Sequence, residues 1–135
     1  MGRQLLADEP VFADAIAKLE PLFVEHVGFS LHEILSEGRQ ISGDAQVQPV
    51  TMGLQIALTE LWRSYGITPD AVIGHSLGEV TAAVTAGALS VEDGLRVIAS
   101  RSRLMSRLAG QGAVALLTLD AVSYTHLTLP TNREV

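Results

Sequence analysis

One serine lies between two glycines in a pattern that suits a nucleophile. Residues 74–78 read Gly-His-Ser-Leu-Gly, and this G-x-S-x-G pattern is typical of a nucleophile elbow, a sharp turn between a strand and a helix. Because glycine lacks a Cβ atom, glycines near the turn let the hydroxyl project and let another backbone segment come close. Ser76 is therefore the candidate nucleophile.

The segments on both sides of Ser76 have the character that an elbow requires. Residues 71–73 are apolar and follow Thr-Pro-Asp, which is typical of a buried strand entered from a turn. Residues 80–89 are small and mostly apolar, so we expect a helix that is covered on most sides. Ser76 would then lie at a helix N-terminus, where free N–H groups and the helix dipole stabilise a developing oxyanion.

A helix cap could explain the same residues without catalysis. Ser76 and Glu79 have the spacing of a capping box, and a bare G-x-S-x-G pattern arises by chance in roughly one chain of this length in twenty. The flanking strand and helix favour the nucleophile, because an ordinary cap needs no glycines. His75 is not expected to be its base, since adjacent residues in an extended segment point to opposite sides.

Arg101 is the second residue that calls for an explanation. We predict a helix over residues 90–109, and a wheel of about 100° per residue gives it one apolar, core-facing stripe. That stripe contains Val97, Ile98, Leu104, Met105 and Leu108. The polar face contains Arg96, Ser100, Arg103 and Arg107.

Arg101 falls in the middle of the apolar stripe, where an unpaired guanidinium would cost several kcal/mol. One interpretation is an internal pair with an acid such as Glu60 or Asp93. The other is a cleft for an anionic substrate, in which each charge-assisted hydrogen bond contributes about 1.5–3 kcal/mol.

Composition narrows the function classes. The 135 residues are 47% hydrophobic with a mean hydropathy of +0.30, yet no run reaches the ~18 apolar residues of a membrane span. This excess of hydrophobic residues predicts surfaces that face other parts of the protein.

The formal charge of −6 argues against binding to nucleic acid or to anionic membranes. Without cysteine there is no disulfide framework and no thiolate metal site. Nothing at the N-terminus resembles a signal peptide, so we expect a cytoplasmic location.

The remaining elements are predicted from periodicity and from turn residues. A helix should begin at Pro10 and should break or kink at Pro21. Further predictions are a short helix over 31–35, a loop over 37–46, a helix from Gln48 and Pro49 to about Tyr65, and a strand over 112–119.

Together these residues resemble the acyltransferase domain of a modular type I polyketide synthase, similar to malonyl-CoA:acyl carrier protein transacylases. The resemblance covers about residues 1–121, and residues 74–79 are its most specific part. Gln48-Pro49 and residues 101–105 support it. It implies an α/β fold: residues 1–111 would belong to a hydrolase-like large subdomain, and residues 112–121 would begin a ferredoxin-like small subdomain.

The resemblance also implies roles for single residues. Ser76 would carry the acyl group, Arg101 would bind its free carboxylate, and the backbone N–H of Leu77 would belong to the oxyanion hole. Gln48, at the active site, and His75 would be further substrate-binding residues. The substrates would be malonyl-CoA or methylmalonyl-CoA and the phosphopantetheine thiol of an acyl carrier protein, working with other domains of the synthase. No metal and no bound cofactor are implied.

Some parts of the family pattern are not found in the sequence. The glycine- and glutamine-rich loop of the oxyanion hole would precede residue 1, and the catalytic histidine would follow residue 135. His126 is not assigned that role, because residues 122–135 resemble a read-through of vector or adapter DNA, and we interpret them as a non-native tail. We therefore expect the 135 residues by themselves to be inactive, and residues 1–121 made alone to be marginally stable or to aggregate. Two alternatives stay open: a serine esterase or thioesterase, and a non-catalytic fragment.

Overall fold

The computed structural model describes residues 2–112 and 118–128, and their regular structure is helical. The described residues form seven α-helices: α1 Gly2–Asp8, α2 Pro10–Val27, α3 Leu31–Glu37, α4 Asp44–Ser64, α5 Gly78–Thr85, α6 Val91–Ser106 and α7 Ala121–Thr128. The predicted starts of α2, α3 and α6 are confirmed, whereas α1 was not predicted. Within the described ranges, no helix has both the length and the apolarity needed to cross a membrane.

Three helices, α2, α4 and α6, pack against one another and form most of the core. Their fully buried apolar side chains include Phe12, Ile16 and Phe23 of α2, Met52 and Ala57 of α4, and Leu95 and Ile98 of α6. Burying each of the larger ones stabilises the fold by about 1.5–3 kcal/mol. Because this packing holds α4 and α6 together, side chains on these two helices keep a constant relative position.

Helix α4 begins at Asp44, four residues before the predicted start at Gln48. The entry turn is formed by Gly43, whose φ of 70° is easy only for glycine. Its carbonyl accepts hydrogen bonds from the N–H groups of Gln46 and Val47. Pro49 is thus inside the helix and fully buried rather than at its start. The longer helix puts Asp44 one turn before Gln48.

Helix α2 continues through Pro21, so the predicted break is wrong. Leu19 and Phe23, on either side of the proline, are both buried in the core. This burial stabilises the helix on both sides of the hydrogen bond that proline cannot make.

The core face of α6 differs from the predicted stripe. Ile98 is buried, but Val97, Leu104, Met105 and Leu108 are 37–62% exposed. The buried face consists instead of Gly94, Leu95, Ile98, Ala99 and Ser102. Small residues allow close packing there: a Cβ on Gly94 would overlap Val84 and Met52. Arg101 consequently lies at the edge of the core, on the exposed side of the helix.

Residues 71–75 are not a buried strand. They carry no regular structure, and the side chain of Ile73 is 98% exposed. A strand needs a neighbouring strand to complete its backbone hydrogen bonds, and the described part of the chain contains none. The predicted strand over 112–119 lies largely outside the described residues, since 113–117 are not among them.

Helix α7 falls in the segment interpreted as a non-native tail. Its start has a local cause, because the Asp120 carboxylate accepts hydrogen bonds from the Ser123 N–H at 2.9 Å and the Ser123 hydroxyl at 2.8 Å. Such a cap depends only on residues close in sequence and does not show whether the segment is native. The interpretation of residues 122–135 therefore stays a prediction.

Candidate active site

Ser76 occupies a strained turn between residues 71–75 and helix α5. Its φ is 55°, and among the described residues it is the only residue other than glycine with a positive φ. Such a conformation costs about 1–3 kcal/mol and persists only where the surroundings enforce it. Here the Gly78 N–H donates to the His75 carbonyl at 2.9 Å, and the Glu79 N–H donates to the Ser76 carbonyl at 3.2 Å. The turn therefore projects the exposed Ser76 hydroxyl away from its own backbone.

The capping-box alternative is wrong. The N-cap residue of α5 is Leu77, and no side chain caps the helix. The Ser76 hydroxyl instead accepts a hydrogen bond from the Arg101 guanidinium. Ser76 thus takes part in a long-range contact rather than in a local cap.

The two glycines of the pattern are not equivalent. A Cβ on Gly74 would overlap the Gly78 carbonyl oxygen and the backbone of Glu79, whereas a Cβ on Gly78 would meet nothing within 4 Å. Only Gly74 is therefore required by close packing, since it lets the start of α5 come close to the extended segment.

We expect Gly74→Ala to destabilise the intact domain that contains this segment by about 3 kcal/mol, the upper end of the usual range for overpacking, because rigid backbone atoms block the new methyl group. Gly78→Ala is the matched control and should change the free energy of unfolding by no more than about 1 kcal/mol, toward greater stability, since alanine favours the first turn of a helix. Urea denaturation measures both values. Equal effects of the two substitutions would contradict the close approach at Gly74.

Arg101 connects the elbow to α4. Its Nη2 donates to the Ser76 Oγ at 2.8 Å, and its Nη1 donates to the Gln48 Oε1. The acids that could have paired with it have other partners: Glu60 contacts Arg63 at 2.8 Å, and Asp93 contacts Arg96 at 3.7 Å. The internal-pair alternative for Arg101 is therefore wrong, and the structure brings Ser76, Gln48 and Arg101 together.

Gln48 is almost fully buried, with 3% of its surface exposed. Its Nε2 donates to the Asp44 Oδ1 at 2.9 Å and to the Met105 Sδ at 3.3 Å. Sequence reasoning missed Asp44 and Met105. The available signal was the i,i+4 spacing of Asp44 and Gln48, but a proline is typical of the first turn of a helix, so the predicted start fell at Gln48.

The backbone N–H of Leu77 has no hydrogen-bond partner in the described part of the chain, although the next three N–H groups all donate to carbonyls. It is adjacent to Ser76 in a turn that leads into the N-terminus of α5. A free N–H at this position is what an oxyanion requires. The role predicted for Leu77 fits this local geometry.

His75 lies on a different side of the elbow. It is exposed and lines an open cavity of about 780 Å³, together with Trp62, Ile73 and other residues of α4, α5 and the extended segment. Ser76, Gln48 and Arg101 are not part of that lining. The structure therefore does not bring His75 to the Ser76–Arg101 contact, and its predicted substrate-binding role stays a prediction.

The arrangement combines a hydroxyl, a cation and a free amide. Because the Ser76 oxygen accepts from Arg101, its own proton remains available to a base. Arg101 is also the one side chain within the described ranges that hydrogen-bonds to this hydroxyl. No group of three or more possible metal ligands occurs among those residues. Chemically, the site suits nucleophilic attack on an acyl group that carries a negative charge of its own.

Comparison with known proteins agrees with this geometry. The sequence model of the "Acyl transferase domain" family matches residues 1–131. The chain is 66% identical over 121 residues to one polypeptide of the phenolphthiocerol/phthiocerol polyketide synthase of Mycobacterium tuberculosis (strain CDC 1551 / Oshkosh), covering 90% of this chain and 7% of that polypeptide.

Solved structures show the same similarity. The acyltransferase domain of the polyketide synthase PpsC of Mycobacterium tuberculosis is 62% identical, with a TM-score of 0.91 over 94% of this chain and 39% of that one. The acyltransferase domain of SpnD, in complex with 2-(pent-4-yn-1-yl)malonyl, is 33% identical, with a TM-score of 0.69 over 77% of this chain and 25% of that one. The chain therefore belongs to the acyl transferase domain family, and it spans well under half of the solved domains that it matches.

Proposed function

We propose that the domain containing this segment transfers malonyl or methylmalonyl from coenzyme A to the phosphopantetheine thiol of an acyl carrier protein. The observation that carries the proposal is the 2.8 Å contact between the Arg101 guanidinium and the Ser76 hydroxyl. In a malonyl group the carboxylate is separated from the thioester carbonyl by one carbon atom. A nucleophile and a guanidinium in direct contact can therefore meet both ends of the same small acyl group.

The transfer takes two steps with an ester between them. In the first, the Ser76 Oγ attacks the thioester carbonyl, its proton passes to a base, the C–S bond breaks and coenzyme A leaves as a thiol. In the second, the carrier-protein thiol attacks the ester, its proton is lost to the base, and Ser76 regains a proton as the C–O bond breaks. The base in this proposal is a histidine elsewhere in the domain. The Leu77 N–H would stabilise the oxyanion in both steps.

Arg101 would select the acyl group. A guanidinium binds a carboxylate through two parallel, charge-assisted hydrogen bonds, so acyl groups with a free carboxylate would be favoured over acetyl. The malonyl-type group bound by the SpnD relative has the same chemistry. Methylmalonyl differs from malonyl by one methyl group, so both remain in the proposal.

The partners follow from the chemistry. Coenzyme A and the pantetheine arm would act as substrates, without a bound cofactor or metal. The carrier protein would supply the acceptor thiol, and the other domains of the same synthase would carry out the next step. A cytoplasmic location is part of the proposal, because the acceptor thiol must stay reduced.

The test uses the whole acyltransferase domain, called the full domain below, in which this segment is completed by the rest of its domain. After incubation with malonyl-CoA, mass spectrometry of the digested protein should find one malonyl group on the peptide that contains Ser76. Adding a carrier protein with its pantetheine arm should remove this group and place it on the carrier thiol. Label on a different residue would disprove the assignment of Ser76.

The same experiment tests the serine-esterase alternative. An esterase would release the acyl group to water and would also hydrolyse neutral esters, whereas the proposed transferase should keep its ester until a thiol arrives. The Arg101 contact favours the transferase, since neutral esters give a guanidinium no partner. For the 135 residues by themselves we propose no activity, because the described part of the chain offers the Ser76 hydroxyl no base.

A further inference from the structure

A row of hydrogen bonds leads from the first turn of α4 to the nucleophile. Asp44 accepts from Gln48 at 2.9 Å, Gln48 accepts from Arg101, and Arg101 donates to Ser76 at 2.8 Å. The reaction described above uses Arg101 and Ser76 directly. It leaves open what determines the position of the Arg101 guanidinium.

The chemistry of the groups forces the Gln48 amide into one orientation. A carboxylate can only accept hydrogen bonds and a guanidinium can only donate them, whereas an amide side chain does both from opposite ends. With Asp44 on one side and Arg101 on the other, the Gln48 nitrogen must face Asp44. The flipped amide would place oxygen against carboxylate and N–H against guanidinium, which would be two repulsive contacts.

Burial makes this orientation strict. Gln48 is 3% exposed, so water cannot replace a lost partner, and an unsatisfied buried amide is costly. Both of its N–H groups are used, one by Asp44 and one by the Met105 sulfur. The thioether is a weak acceptor, so the carboxylate of Asp44 is the stronger of the two constraints.

We infer that Asp44 is a positioning residue for the acyl transfer: it orients the Gln48 amide, whose oxygen then holds the Arg101 guanidinium against Ser76. The inference rests on the proposed function, because the effect is exerted through Arg101. Asp44 itself touches neither Ser76 nor Arg101 in this arrangement. Its contribution should therefore be larger for acyl groups with a carboxylate, which bind Arg101, than for acetyl, which is affected only through the Arg101–Ser76 contact.

Asp44 also has an ordinary structural role that the test must separate. As an acid in the first turn of α4, it interacts favourably with the helix dipole. Asp44→Ala removes both the acceptor and the charge. Asp44→Asn removes the charge but keeps an acceptor oxygen for the Gln48 amide. Comparing the two substitutions therefore separates the role of the hydrogen-bond acceptor from the role of the charge.

The experiment measures kcat/KM of the full domain for malonyl-CoA and acetyl-CoA with a carrier-protein acceptor. Asp44→Ala should lower the malonyl-to-acetyl ratio by about three- to tenfold, the effect of one hydrogen bond, mainly through a higher KM for malonyl-CoA. Asp44→Asn should keep a ratio close to that of the parent. Asp14→Ala is the matched control, because Asp14 is also an acid bonded to the residue four positions on, Lys18, but on the exposed surface of α2.

Either of two kinetic results would overturn the inference. An equal loss for malonyl and acetyl in Asp44→Ala would assign Asp44 to stability alone, and an Asn variant as impaired as the Ala variant would assign the effect to charge.

Crystal structures of the parent and the Ala variant give a readout independent of substrate. The Arg101–Ser76 contact should be present in the parent and lost in the variant, and its retention would disprove the positioning role even if the proposed acyl transfer were correct. Failure of the parent domain to take up malonyl would instead count against the proposed function.

Discussion

Replacing Ser76 with alanine is expected to abolish covalent labelling of the full domain by radioactive malonyl-CoA. The acyl-serine ester cannot form without the hydroxyl, and loss of the nucleophile in a serine triad enzyme costs about a millionfold in rate. The substitution should leave the fold intact, since Ser76 is exposed and alanine keeps the same Cβ atom, so it adds no new clash at the positive φ. Labelling followed by gel electrophoresis and scintillation counting measures the effect.

Ser106→Ala is the matched control for this loss. Ser106 lies at the end of α6, the helix that carries Arg101, but its hydroxyl donates to the carbonyl of Arg103 at 2.8 Å. Labelling of this variant should equal that of the parent. Label that persists in Ser76→Ala would remove Ser76 as the nucleophile and would direct attention to another residue.

Replacing Arg101 with alanine is expected to impair malonyl transfer far more than acetyl transfer. Malonyl loses two charge-assisted hydrogen bonds of about 1.5–3 kcal/mol each, so its kcat/KM should fall by about a hundred- to ten-thousandfold. Acetyl has no carboxylate and loses only the effect of the contact between Arg101 and Ser76, which we expect to be about tenfold or less. Competition between the two thioesters for one enzyme measures the ratio directly.

Arg103→Ala controls for the loss of a positive charge from α6. Arg103 is exposed, two residues further along the same helix, so its removal changes the overall charge by the same amount without touching Ser76. Its malonyl-to-acetyl ratio should match that of the parent. If Arg101→Ala lost malonyl and acetyl transfer equally, Arg101 would support the nucleophile without recognising the carboxylate.

Local features of the chain were predictable because they depend on residues close in sequence. The helix start at Ser90 is one, since the Ser90 hydroxyl accepts from the Asp93 N–H at 3.0 Å, three residues away. The turn at Ser76 is another, since glycine and backbone geometry decide it within five residues. The apolar stripe that set Arg101 apart is largely exposed in the structure, so the reason given for that residue is not confirmed.

The errors occurred where packing between distant segments decides the outcome. The core face of α6 was assigned by hydrophobicity, yet the close approach at Gly94 selects the face with small residues and leaves Val97, Leu104, Met105 and Leu108 exposed. The predicted strand over 71–73 needed a neighbouring strand, which the described part of the chain does not supply.

By itself, the sequence determined which side chains to consider: a serine in a glycine-bounded turn and an arginine among apolar residues of one helix. It could not determine what the arginine touches, because an internal acid such as Glu60 or Asp93 and a cleft for an anionic substrate were both possible. The tertiary structure decided that question by packing α4 against α6, which buries Gln48 next to Arg101 and aligns Asp44 behind it. Residue types and their spacing encode chemistry, whereas contacts across 25 and 53 residues of chain exist only once the core has formed.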